Sequence, residues 1–187
     1  MSNIVDSETS LSLRIARERT DRGWSLAQLA ERSGVSRSML SKIERQESSP
    51  TATVLLRIAA AFGVTLAELL TEPASAGSRV LRAADQPAWI DPATGYRRRQ
   101  VYLSAGLPLE LVDVELPPGA RVAAPAASYA LIRQVLWVLE GALVVQEGEL
   151  PTTLGAGDRL EFGPPSDVVF RNESGRPCRY LVAVLRW

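Results

Sequence analysis

Residues 24–50 read WSLAQLAERSGVSRSMLSKIERQESSP, and their spacing predicts two short helices joined by a tight turn. Ser25 followed three residues later by Gln28 is a capping-box pattern, in which a hydroxyl and an amide satisfy N–H groups that a first helical turn leaves unpaired. Leu26, Leu29 and Ala30 then share one helical face. Gly34 can end that helix in the left-handed conformation because it carries no Cβ. Ser36 restarts the chain as an N-cap, and Met39, Leu40 and Ile43 are expected to form the buried stripe of the second helix. Arg37, Ser38, Ser41, Lys42 and Arg45 are left facing outward. Two apolar-backed helices around a glycine turn, with hydrogen-bonding groups outside, predict a helix-turn-helix that reads DNA.

The stretch resembles the DNA-binding domain of the lambda-repressor/Cro, or XRE, family. The resemblance rests on Gly23, Leu29-Ala30, Gly34-Val35-Ser36, Leu40-Ser41, Ile43-Glu44 and Pro50, and runs from Leu11 to Leu70. It departs at Gln46, where the family often has Gly. With the outward geometry, it implies Arg37, Ser38, Ser41 and Lys42 at base edges, and Ser25, Gln28, Ser36 and Arg45 at phosphates. It also implies an ion pair between Arg19 of the first helix and Glu44 of the recognition helix. The implied partner is double-stranded DNA carrying an inverted repeat, read by a homodimer, because one recognition helix covers too few base pairs.

The chain has 187 residues, enough for one large or two small domains, and 46% hydrophobic content, enough for packed cores. Lys+Arg and Asp+Glu balance at 21 each, so bulk charge predicts attraction neither to nucleic acid nor to membrane. The local cations Arg32, Arg37, Lys42 and Arg45 carry the electrostatic argument instead. No apolar run reaches membrane-spanning length, the N-terminus is polar, and a single Cys178 suits a reducing compartment; a cytoplasmic protein is expected. The sequence contains no histidine, which removes Ser-His-Asp, Cys-His and His-metal constellations together. No cofactor and no catalytic residue are therefore expected.

The first ten residues or so are expected to be disordered, and residues 11–22 to form the first helix, with Leu11, Ile15 and Leu13 turned inward. Ser49-Pro50 is expected to open a fourth helix, with Leu55, Leu56, Ile58, Ala59 and Phe62 on its core face and Gly63 at its end. Thr65 and Glu68 form a second capping box that opens a fifth. The boundaries expected are a helical domain over residues 10–72, a small-residue linker over 73–78 able to act as a hinge, and a β-domain over 79–187. Candidate strands there are 79–83, 97–103, 109–116, 135–139, 142–146, 159–162, 168–171 and 179–186, parted by Pro, Gly and Asn clusters. The expected class is α+β, a five-helix bundle followed by an antiparallel jelly-roll barrel. The continuous apolar run Leu136 to Leu139 is expected to be covered on both faces, one of them by a second subunit.

The second half resembles the cupin family of small jelly rolls, through Pro118-Gly119, Val138 to Gly141, Gly157-Asp158 and Asn172. Metal-binding cupins use two His and a Glu, then a further His. Counting back from Gly141 and Asn172, the matching positions here hold Ser128 and Ala130 (or Ala127 and Tyr129), Gln134 and Val168. These donors are neutral or absent, so no metal is expected, and the same residues become the candidate lining of a small-molecule pocket. Three readings follow. One is a DNA-binding transcriptional regulator whose cupin senses a small effector and dimerises. A second is a metal-dependent enzyme like the epoxidases that share this layout, which the missing ligands disfavour. The third is a regulator whose barrel only dimerises.

Overall fold

The computed structural model describes residues 3–71, 80–104 and 106–186. Five helices come first: α1 (Asn3–Asp21), α2 (Leu26–Ser33), α3 (Arg37–Glu44), α4 (Ala52–Phe62) and α5 (Leu66–Leu70). The capping boxes at Ser25/Gln28 and Thr65/Glu68 are both formed, and Gly34 and Gly63 end their helices left-handed.

Several details differ from expectation. Helix α1 already runs at Asn3, where disorder was expected; no Gly or Pro interrupts the stretch, and adding turns to a nucleated helix is cheap even for polar residues. Leu13 is exposed, since two residues of helix turn it about 200° from Leu11. Met39 is 37% exposed while Leu40 and Ile43 are fully buried, so the stripe of α3 is narrower than its apolar residues suggested. The N-cap of α4 is Thr51, with Pro50 buried just before it. Gln46 carries a φ of 62°, the left-handed conformation that glycine adopts at least cost.

Ten strands follow: β1 (Ala88–Ile90), β2 (Arg97–Leu103), β3 (Leu109–Leu116), β4 (Arg121–Ala124), β5 (Ile132–Glu140), β6 (Ala142–Glu147), β7 (Leu150–Gly155), β8 (Arg159–Glu161), β9 (Val168–Arg171) and β10 (Cys178–Arg186). The antiparallel pairs β3–β10, β4–β9, β5–β8 and β6–β7 nest inside one another, which is the jelly-roll topology. They form two facing sheets, β1-β2-β3-β10-β5-β8 and β4-β9-β6-β7, rather than one closed hydrogen-bonded barrel. The chain changes sheet at Pro117 to Ala120, 125–131, Gly141, Ala156 to Asp158, 162–167 and 172–177, and no ladder continues across these corners. Gly141 has no substitute there: a Cβ would lie 2.7 Å from the carbonyl oxygen of Pro177.

The expected strand over 79–83 is not formed at the described positions, where the chain instead enters a 3-10 turn at Ala83–Asp85. Strands β1, β4 and β7 were not anticipated. The first two are too short to show alternation, and β7 is a mostly exposed edge strand containing Pro151. The run Leu136 to Leu139 alternates instead of burying both faces: Leu136 and Val138 are buried, and Trp137 is 49% exposed.

The helices sit directly on the jelly roll. Asp91 Oδ2 accepts the Ala52 N–H at the start of α4 at 2.7 Å, and the Thr65 hydroxyl donates to Glu110 Oε1 at 2.7 Å. Arg186 of β10 pairs with Glu68 of α5, and Ala123 N–H donates to Thr53 Oγ1 at 3.3 Å. One apolar core runs through both halves. The linker expected over 73–78, and with it the hinge, lies outside the described residues.

Candidate DNA interface and a cavity shared by both halves

Helix α3 is held from behind by Leu40 and Ile43 and from its C-terminal half by Glu44. Arg19 Nε and Nη2 donate to the two carboxylate oxygens of Glu44 at 2.7 and 2.8 Å, and Arg19 Nη1 donates to the Trp24 carbonyl at 2.8 Å. That fork ties α1, the entry to α2 and the end of α3 into one rigid unit. The Trp24 ring stacks on Phe62, and the Arg32 guanidinium lies over the Trp24 ring at 4.4 Å.

What faces solvent on this unit is polar. Ser25, Gln28, Ser36, Arg37, Ser38, Lys42 and Arg45 are exposed and Ser41 is half-buried. Among the described residues neither Arg37 nor Lys42 enters an ion pair, so both ammonium and guanidinium are available to an anion. Arg45 is different. Its Nε and Nη2 donate to Glu47 at 2.8 and 2.9 Å, and those hydrogen bonds hold its pKa above the ordinary value. A phosphate would have to compete with that carboxylate. The caps also redefine which N–H groups are free: Ser25 Oγ accepts from Gln28, Gln28 Oε1 accepts from Ser25, and Ser36 Oγ accepts from Met39. At α2 this leaves the first-turn N–H groups of Leu26 and Ala27 pointing out of the helix end. Met39, exposed beside Arg37 and Ser38, belongs to the same surface; its apolar character concealed it in the sequence.

The second feature is a cavity of about 80 Å³ between the two sheets, and its lid is made of helices. Leu56 and Ala59 of α4, with Val64, Thr65 and Leu66, face Val114, Val182, Val184, Phe170 and Tyr180 of the jelly roll. Ser128, Tyr129 and Gln134, counted out from the cupin resemblance, all line it. Ala130 and Val168 do not. Ala130 is exposed on an outer groove, and Val168 lines a separate cleft of about 10 Å³. The reason is local: residues Ala126–Tyr129 form a 3-10 turn, so alternate positions do not keep facing inward. Arg98 and Glu110 line the cavity and were not anticipated, because the counting followed metal-ligand positions and these lie on earlier strands.

Glu110 is fully buried; burial pushes its pKa up, opposed by the Thr65 hydrogen bond and the charges of Arg98 and Arg186. Tyr129 and Tyr180 are likewise raised by burial, and ring contacts run from Tyr129 through Phe162 and Phe170 to Tyr180, stacked at either end and tilted in the middle. The residues at the cupin metal positions do not fit a metal. Gln134 is a neutral amide, Val168 is apolar, and the Ser128 hydroxyl donates to the Leu56 carbonyl at 3.4 Å. Among the described residues no cluster of three carboxylate or thiol groups could take their place. Among the described residues no helix is long and apolar enough to cross a membrane.

Comparison with known proteins bears on both halves. The HTH_3 helix-turn-helix family model matches residues 13–69. SinR of Bacillus subtilis, an HTH-type transcriptional regulator, is 40% identical over 60 residues, which is 32% of this chain and 54% of SinR. The crystal structure of an HTH_3 family transcriptional regulator from Vibrio cholerae superposes with a TM-score of 0.79 at 22% identity, covering 98% of each chain, so the helix-plus-jelly-roll fold is shared throughout. The HTH-type transcriptional regulator SutR of Escherichia coli is 32% identical over 163 residues, 87% of this chain and 86% of SutR. With its helix-turn-helix intact and its similarity extending through the jelly roll, the chain belongs to the family of HTH-type transcriptional regulators.

Proposed function

We propose that the protein is a homodimeric regulator that reads an inverted-repeat operator and changes its grip when a small organic metabolite enters the jelly-roll cavity, without a metal. The observation that carries this reading is the shared lid: α4 and α5 belong to the DNA-binding unit and also wall the cavity. A molecule in the cavity therefore touches the helices that carry α3, with no intervening linker. A tenfold change in operator affinity needs about 1.4 kcal/mol of such coupling.

Base contacts fall to Arg37, Ser38, Ser41 and Lys42, and phosphate contacts to Ser25, Gln28, Ser36 and Arg45. The proposed dimer surface is the outer face of the six-stranded sheet. There Leu111, Ala183 and Val135 lie in one cross-strand row, with Leu181 and Trp137 in the next. Arg133, Arg159 and Glu161 border this apolar patch, the arrangement of an interface core with a charged rim. Two subunits so joined are to present their α3 helices about 34 Å apart.

The experiment is operator selection from a random duplex library, followed by anisotropy titrations with variants. Arg37→Ala is expected to cost about 1–3 kcal/mol on the selected site and little on random DNA. Arg45→Ala is expected to weaken both alike and to flatten the salt dependence. Equal losses on the two DNAs for Arg37→Ala would remove it from the base-reading set. Failure of any metabolite pool to shift operator affinity would leave the jelly roll as a dimerisation scaffold.

A further inference from the structure

Three buried polar atoms at the shared cavity make no well-formed hydrogen bond among the described residues: Arg98 Nε, Glu110 Oε2 and Gln134 Nε2, the last with the Tyr129 hydroxyl as its nearest polar neighbour, close enough to favour the phenolate. Glu110 is 0% exposed and Gln134 9%. Strand register explains how they converge. Glu110 of β3 and Gln134 of β5 are both cross-strand partners of Val184 in β10, so they stand on one face of the sheet in one row. Two strand spacings put their Cα atoms about 10 Å apart. Arg98 enters from β2 opposite Val114, on the same inward face. Arg98 lines the cavity together with Glu110, Tyr129 and Tyr180.

The chemistry of the three atoms is complementary. Two donors, one of them cationic, call for an acceptor group with negative charge; a planar carboxylate answers both. The unpaired oxygen of Glu110 calls for a donor, and its other oxygen already accepts the Thr65 hydroxyl at 2.7 Å. Most of the remaining lining is apolar or aromatic, Val114, Val182, Phe170 and Tyr180 among it, with the hydroxyls of Thr65, Ser128 and the tyrosines as its other polar groups. At about 80 Å³ the cavity exceeds the room one water needs, about 10–15 Å³, and suits a body of a few carbons.

We propose that the cavity binds a small α-amino acid, its carboxylate held by Arg98 and Gln134, its ammonium by Glu110, and its side chain among the apolar residues. This rests on the metabolite-sensing reading above and names the class of metabolite. The ammonium gives the unpaired Glu110 oxygen a close partner, in addition to Arg186, whose Nε lies 3.4 Å from the other oxygen. The groups facing that carboxyl are Thr65 and Glu68 from α5, Arg98 from β2 and Arg186 from β10. An ammonium on Glu110 sits beside the Thr65 hydrogen bond, and Thr65 is the N-cap of α5, so occupancy is registered where the DNA-binding unit meets the jelly roll.

The test is isothermal titration of the full chain with two matched sets. One is L-valine, isovalerate and isobutylamine; the other is L-alanine, propionate and ethylamine. In each set the second compound lacks the amine and the third lacks the carboxylate. An amino acid of at least one set is expected to bind at least tenfold tighter than both of its analogues. Glu110→Gln is expected to lower amino-acid affinity tenfold or more while changing carboxylate affinity less than twofold; Gln134→Leu is expected to weaken both. The wild-type comparison stands even if a variant misfolds. No binding by any of the six, or a carboxylate or amine binding as tightly as its amino acid, would overturn the assignment. The two readings fail separately. Operator release by some other metabolite, with all six silent, sinks only the amino-acid assignment. Amino-acid binding that leaves operator affinity unchanged sinks only the sensing.

Discussion

Neutralising Glu44 is expected to be the most damaging conservative change in the helical half. Glu44→Gln preserves shape but leaves the Arg19 guanidinium, 16% exposed, facing one amide oxygen instead of two anionic ones. Three estimates bound the loss. A charge pair whose charge centres lie about 4 Å apart is worth about 4 kcal/mol at the effective dielectric near a protein surface. Hydrogen bonds to charged groups contribute about 1.5–3 kcal/mol each, and one of the two Glu44 bonds is lost outright. Breaking one side of a buried pair by mutation generally costs about 3–5 kcal/mol. We expect about 3 kcal/mol, or a fall in Tm of about 6–12 °C for a chain of this size. Urea unfolding followed by circular dichroism measures it. Replacing both partners, Arg19→Met with Glu44→Leu, is expected to recover much of the loss, because no charge is then stranded. A Glu44→Gln variant within about 0.5 kcal/mol of wild type, the range of an ordinary surface substitution, would refute the rigid-unit argument.

Three further outcomes are expected. Gln46→Gly should raise stability by about 0.5–1 kcal/mol in the same assay, since a φ of 62° strains any residue with a Cβ; an unchanged midpoint would deny that strain. Asp113→Asn should lower stability at neutral pH and flatten its acid limb. Burial alone would raise the Asp113 pKa, but hydrogen bonds from Arg179 and Arg99 outweigh it and hold the group low, so its contribution is present above the ordinary carboxylate range and disappears as pH falls through the depressed value. Parallel stability–pH curves for the two proteins would contradict this. Trp137→Glu, which puts a charge in the proposed dimer surface, should yield a monomer by sedimentation and weaken operator binding, and an intact dimer would move the interface elsewhere.

The helix-turn-helix was legible because its signals are local. A cap and its acceptor lie three residues apart, and Gly34 closes α2 within the same short stretch. The jelly-roll core was half legible: long strands with apolar runs were read, whereas the short strand β4 and the exposed edge β7 carry too little pattern. What no local reading could reach was the seat of one half on the other. Its contacts join Ala52 to Asp91 and Thr65 to Glu110, residues far apart in sequence and ordinary in type. The cavity suffered similarly. Gln134 was found because it occupies a position where related sequences place a ligand, while Arg98 and Glu110 resembled any charged residues on alternating strands.

The cap that Asp91 places on α4 bears on how such regulators diversify. Thr51 already satisfies the Val54 N–H, and Asp91, buried in the turn after β1, takes the Ala52 N–H in addition. The DNA-reading half thus depends on a carboxylate encoded some forty positions downstream, past the segment that looks like a natural point for recombination. Grafting this helical half onto a foreign sensor would strand that donor unless the new partner brought an acceptor to the same spot. Exchange of halves is therefore constrained by this side chain as well as by the Thr65–Glu110 and Glu68–Arg186 contacts, and a graft that keeps the β1–β2 turn with the helices preserves the cap.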